Sequence, residues 1–255
     1  MRSDQRISLQ LSQDMETSDA VMKVTVVFVR VVTKAEYDHG ACRWLDSYKE
    51  YVWGYEHSLA VVNRYAESPD SLFDDFATYY LRYDSGGWDC GTWQFVANHI
   101  ETDLLVCFNS STYVTGDNWL KRFVDAVKEN GEGLYGPLTS YEVVPHVRTP
   151  CMIFQPKVIR DYPRKVETRE DTWRFESLGW PDGTPNVTQW AMQQGFPARL
   201  ITWDGVYDLA DWRKPENIFR RGDQSNLIVK DRHCEAYSAS DEEGKRTLER
   251  LADGQ

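Results

Sequence analysis

Two uninterrupted apolar runs constrain this chain more than anything else in it. Residues 23–32 read KVTVVFVRVV and Leu104–Phe108 read LLVCF. A strand with one wet face alternates apolar and polar residues. A continuous β-branched run suits a strand buried on both faces, the condition of a parallel sheet covered by helices. Residues 38–52 follow the first run with a helical apolar stripe of Trp44, Leu45, Tyr48 and Val52. SLAVV at 58–62 is a second strand ending at Asn63-Arg64, and residues 70–76 make a short helix or turn after Pro69. TYYLR at 78–82 is a third strand ending at Tyr83-Asp84, and the spacing predicts a helix over 91–99 before the LLVCF strand. Asp117 is placed as the N-cap of a helix over 118–129, which Gly131 and Gly133 stop. This alternation predicts an α/β fold, with a mostly parallel central sheet and helices on both faces.

The second half is less regular. LYGPLTSYEVV at 134–144 reads as a strand interrupted by Gly-Pro, and residues 145–150 form a polar connection bounded by prolines. Strands are expected at 151–155, 198–203 and 225–229, and helices at 156–161, 168–177 and 186–194, the last capped by Asn186. From Asp204 the chain is loop-rich, and 241–252 is a charged helix with little apolar face, expected to be mobile. The division this gives is a flexible tail at 1–22, a main domain at 23–237 and a charged C-terminal helix or tail at 238–255.

Composition narrows the class. The chain has 255 residues, 41% hydrophobic, enough for one sizeable core. Forty acidic residues against 29 basic ones leave a net charge of −11, with no basic stripe, so a nucleic-acid polymer is not the expected partner. A small anion stays open, because helix N-termini hold anions without a basic surface. Five cysteines, none in a CxxC pair, suit reduced thiols of the cytoplasm better than a disulfide framework or zinc site. No stretch is long and apolar enough for a membrane span.

The polar residues closing the apolar strands are the candidates for chemistry, since ligands in open α/β sheets bind outside the carboxyl ends of strands. Asn109-Ser110-Ser111 ends the LLVCF strand and either lines a site or makes a local turn. Arg30, near the end of the first run, and Arg148, between Pro145 and Pro150, suit phosphate contacts or ordinary ion pairs.

In order and spacing these elements resemble the GT-A fold of nucleotide-sugar glycosyltransferases, the rhamnan-synthesis type in particular. The residues carrying the resemblance are VTVVFVRVV, the strand ending in Asn63, GWDCGTWQFVANHI, LLVCFNSSTYV followed by GDNWLKRFVDAV, and RFESLGWPDGTPNVTQWAMQQGF. Together they cover most of the chain, from Lys23 to Tyr207. The resemblance implies transfer of a sugar from a nucleotide-diphosphate donor to a hydroxyl of a glycan or other acceptor, in polysaccharide or surface-glycan synthesis. It implies that Arg30, Asn63, Asp84, Asp89, Asn109, Ser110, Ser111, His146 and Arg148 contact the donor.

One departure stands out. Where the family carries an Asp-x-Asp motif for a divalent cation, this chain has Asn109-Ser110-Ser111, which brings no charge to a hard cation. Dependence on manganese or magnesium is therefore expected to be weak or absent, unless Asp84, Asp89 or a late His233 holds the cation. Arg148 with His146, or Arg30, is then left to offset the charge of the departing diphosphate. Glu176, placed like the family's acceptor-side acid and flanked by Trp173 and Phe175, is the candidate base, expected to be shielded by those rings; Asp204 and Asp223 are weaker alternatives. A non-catalytic sugar-binding relative and a nucleotidyltransferase remain alternatives. A dinucleotide enzyme does not, since VVTKAEYDHG after the first run holds no GxGxxG.

Overall fold

The computed structural model describes residues 21–31, 35–65, 71–84 and 86–255. The expected tail lies outside the described residues except for Val21 and Met22. The first apolar run becomes β1 (Val24–Val31), with every residue buried. There follow α1 (Ala35–Glu50), β2 (Ser58–Arg64), β3 (Tyr79–Arg82), α2 (Trp88–His99), β4 (Leu104–Phe108), β5 (Tyr113–Val114) and α3 (Trp119–Asn130). The second half supplies β6 (Leu134–Gly136), β7 (Thr139–Ser140), β8 (His146–Val147), β9 (Cys151–Phe154), α4 (Pro156–Arg160), α5 (Arg169–Trp173) and α6 (Val187–Gln193). Last come β10 (Ala198–Ile201), β11 (Val206–Asp208), β12 (Val229–Lys230), α7 (Arg232–Ala239) and α8 (Glu242–Ala252).

The central sheet has eight strands in the order β11-β10-β6-β9-β4-β1-β2-β3. Strands β3, β2, β1 and β4 run parallel, as do β6 and β10, while β9 and β11 run against their neighbours. The fold is thus α/β with a mostly parallel sheet. Alternate residues of β1 serve the two faces. Val27 and Val29 join Trp93, Val96 and Ala97 of α2 on one face, and Val26 and Phe28 join Trp44 and Leu45 of α1 and Phe123 of α3 on the other. On the α1 face, Phe28 stacks on Trp44 with centroids 4.4 Å apart. Among the described residues no helix is long and apolar enough to cross a membrane.

Several local expectations are corrected. Asp117 is not the N-cap of α3: Asn118 takes that place in the left-handed region (φ 61), and Asp117 Oδ1 accepts from the Val52 N–H at 2.8 Å. Val52 lies beyond the end of α1 and is exposed, outside the apolar stripe. Residues 134–144 do not form one strand, because Pro137 has no N–H to continue the ladder and the chain leaves the sheet there for the β7–β8 pair. Residues 168–177 split into α5, started by a Thr168–Asp171 capping box, and a π-turn over Arg174–Leu178. α8 is docked rather than loose: Tyr141 N–H donates to Ala252 C=O at 2.7 Å, Tyr237 Oη to Glu249 Oε1 at 2.6 Å, and Arg221 pairs with Asp253 at 3.0 Å.

Candidate active site

Beyond the carboxyl end of β4, Asn109 N–H donates to the Pro150 carbonyl at 3.1 Å. That bond brings the segment entering β9 to the end of β4. In the same segment Thr149 N–H donates to Glu176 Oε1 at 3.0 Å. This is the only hydrogen bond to the Glu176 carboxylate among the described residues. His146 is buried, its Nδ1 2.8 Å from the Val144 carbonyl. Burial holds its imidazole below the usual histidine range, although neighbouring Glu176 pulls the other way. The Arg148 guanidinium lies 4.2 Å over the Phe219 ring. Glu176 is therefore a neighbour of His146 and of the Arg148 segment, from which it is well separated in sequence.

Asp89 reaches the same region from α2. The helix begins after Gly86-Gly87, and only glycine fits at Gly87: a Cβ there would lie 1.9 Å from the Val166 carbonyl oxygen. Asp89 Oδ1 is buried and, among the described residues, has no hydrogen-bond partner. Burial pushes its carboxyl up to about 6 against the opposing pull of Arg64 and Arg232. The Cys90 thiol is raised by burial, then by the Glu176 and Asp89 charges, so both carboxylates lie near it.

The other predicted donor residues have surroundings of their own. Arg30 and Asn63 are register partners and, by strand alternation, face α1 with Phe28 and Val61. Ser110 and Ser111 also lean on α1, where a Cβ on Gly40 would meet the Ser110 carbonyl oxygen at 2.1 Å. Asp89 belongs to α2, which packs on the other face of the sheet through Cys90 and Trp93. The Asn109 side chain is turned on its own loop, its Oδ1 accepting from Ser111 N–H at 2.9 Å and Ser111 Oγ at 3.0 Å. Asp84 clamps two strand ends, Oδ1 accepting from Tyr65 N–H at 2.8 Å and Oδ2 from Arg82 Nε at 2.7 Å. Those bonds, the Tyr65 one first, hold its carboxyl below the usual range. Asp204 is likewise engaged, by Thr202 and by Tyr207. Asp223 Oδ1 accepts from Ser225 N–H at 2.8 Å.

Nor do these groups fit a hard cation. Among the described residues no three of His, Cys, Asp and Glu converge as ligands. The Asn109 and Asp84 oxygens are already taken by internal donors.

What the sequence reading missed comes from the C-terminal third. β12 pairs with β5, and Thr115 N–H donates to the Ile228 carbonyl at 3.1 Å, which carries the start of α7 to the end of β4. Asp231 caps α7 by accepting from His233 N–H and Cys234 N–H. Arg232 acts on Asp89, and burial with the charges of Arg148, Arg232 and Arg220 holds the His233 imidazole low. Arg220 is 8% exposed and stands beside Arg148. The paired arginines of IFRRGDQ were the available signal, but nothing local ties them to residue 148.

No protein-family model matches the chain, and no curated protein matches it. Among solved structures, TarS of S. aureus is similar at 13% identity with a TM-score of 0.44 over 59% of this chain and 32% of TarS. Its 1–349 fragment in complex with UDP is similar at 14% identity with a TM-score of 0.43 over 59% of this chain and 53% of the fragment. HddC from Yersinia pseudotuberculosis is similar at 12% identity with a TM-score of 0.40 over 56% of this chain and 82% of HddC. This chain spans about a third of TarS.

Proposed function

We propose that the protein moves a sugar from a nucleoside-diphosphate sugar to a hydroxyl of a glycan or related acceptor. One juxtaposition supports this reading. Glu176, anchored through one oxygen to Thr149 N–H, sits beside the Arg148 segment at the carboxyl end of β4, where open α/β sheets bind ligands. Glycosyl transfer needs a proton acceptor on one side of the anomeric carbon and positive charge on the other. Glu176 accepts the proton of the acceptor hydroxyl as its oxygen bonds to the anomeric carbon. The bond from that carbon to the diphosphate oxygen breaks, the electron pair leaves with the diphosphate, and Arg148 offsets the charge that develops.

The proposed role does not rest on shielding by Trp173. That ring is 46% exposed, and the Arg169 guanidinium lies 4.9 Å over it. Phe175 is buried in the core instead. Of the two flanking aromatics, one serves packing and the other faces solvent, so the Thr149 bond is what fixes the carboxylate.

Glu176→Gln keeps size and removes the proton acceptor. Transfer should fall by roughly a hundredfold, the usual scale for a general base, with donor affinity little changed. Transfer at wild-type rate in this variant, or a product that keeps the donor's anomeric configuration, would contradict the role.

A further inference from the structure

Arg148 and Arg220 present an electrostatic problem that the protein alone leaves open. Nε and Nη1 of both guanidinium groups are buried and, among the described residues, have no hydrogen-bond partner. Both groups lie over the same ring, Arg148 at 4.2 Å and Arg220 at 5.0 Å from the Phe219 centroid. Each is close enough to the other for the Arg148 charge to weaken Arg220's hold on its proton, after burial itself. The carboxylate nearest Arg220 is Glu142, at 3.7 Å, too far for a hydrogen bond and on a half-exposed side chain. Buried N–H donors with no acceptor and two adjacent like charges are both unfavourable.

The surrounding chain nonetheless fixes this arrangement firmly. Asn217, Arg220 and Gln224 all take left-handed backbone angles, φ 57, 52 and 60. Gln224 Nε2 anchors the loop to α7 through the Cys234 carbonyl at 2.9 Å and Ser238 Oγ at 2.8 Å. The neighbouring Arg221 turns away and is satisfied by Asp253 and the Arg213 carbonyl. One arginine of the pair is thus structural, and the other is held over Phe219 beside Arg148. Arg232 and the N-terminal turn of α7 lie on the same side.

We propose that Arg148 and Arg220 form a protein-borne binding site for the diphosphate of the donor, doing with guanidinium groups what a divalent cation would do elsewhere. The donor chemistry agrees. Guanidinium forks match pairs of phosphate oxygens, and a diphosphate offers enough acceptors and charge to serve both groups at once. The absence of a fitting carboxylate set at Asn109–Ser111 has the same consequence, since the charge must be met by side chains already present. The assignment to a donor rests on the function proposed above, whereas the anion site itself does not.

The test is calorimetric titration of the full-length protein with inorganic pyrophosphate in EDTA, for wild type, Arg148→Met, Arg220→Met and the Arg221→Met control, alongside melting of each unliganded protein. Wild type and Arg221→Met should bind pyrophosphate without added metal. Arg148→Met and Arg220→Met should each weaken binding by tenfold or more. Unliganded Arg220→Met should melt no lower than wild type, because an unpaired buried charge has been removed. No pyrophosphate binding by wild type, undiminished binding by Arg220→Met, or an Arg220→Met protein that melts lower or does not fold would overturn the site. Pyrophosphate binding without turnover of any sugar nucleotide would sink the transferase reading and leave the anion site standing. Sugar-nucleotide turnover undiminished in Arg220→Met would do the reverse.

Discussion

Asp89 carries its carboxylate where one oxygen reaches neither water nor a donor. Its folded pKa of about 6 lies above its unfolded value of 3.8, so the folded state binds the proton more tightly. The resulting stability is present below about pH 4 and is lost as pH rises through about 6. Above that, the ionised group costs up to about 3 kcal/mol, from a shift of roughly two units. Asp89→Asn should therefore be more stable than wild type at pH 7.5 and equal to it at pH 4, as read from denaturant midpoints. A loss of stability at pH 7.5 would show instead that the attraction of the Arg64 and Arg232 charges outweighs burial. His146 and His233 are both held low mainly by burial, so neither should carry charge near neutral pH in the unliganded protein.

At the scale of elements, the contact between α1 and the end of β4 decides where the Asn109–Ser111 turn lies. Gly40 lets the helix backbone come down on the Ser110 carbonyl, and Trp44 one turn later stacks on Phe28 of β1. Gly40→Ala places a methyl 2.1 Å from a backbone oxygen that no rotamer change can relieve. Melting should show a loss of about 1–3 kcal/mol, the usual cost of overpacking. No change would mean that α1 slides freely over the strand end. The two-faced burial of β1, β2 and β4 was legible from the apolar runs alone, and so were the stop at Gly131 and the start at Asn186. Other boundaries were not. Asp117 bonded the N–H of Val52, distant in sequence, rather than capping the helix beside it. α7 was missed because RHCEAYSA shows little apolar periodicity and is held by its Asp231 cap and by Gln224.

For the whole molecule, the candidate site is assembled from segments around residues 89, 148, 176, 220 and 232, which the sheet order and the β5–β12 pairing bring together. Sequence reading singled out Glu176, His146, Arg148 and Asp89 because each follows a proline, glycine or helix signal, and the fold brings them near one another. It also grouped Asn63, Asp84 and Asn109–Ser111 with Asp89, because every polar strand end looks alike until the faces of the sheet are known. Arg220 and Arg232 were out of reach, since their partners are distant in sequence and their loop has no period. If the arginines take the cation's place, EDTA should leave donor binding within about twofold, whereas raised salt should weaken it, as expected where guanidinium groups meet an anion. Binding abolished by EDTA and restored by manganese would contradict this.

The most direct test of nucleotide-donor use is the thermal shift of the wild-type protein with UDP, GDP and dTDP in EDTA, repeated with Arg148→Met. A ligand that binds only the folded form raises the melting temperature by mass action. At least one of the three nucleotides should raise it several degrees in wild type and not in the variant. No shift with any of them, or the same shift in both proteins, would contradict the account.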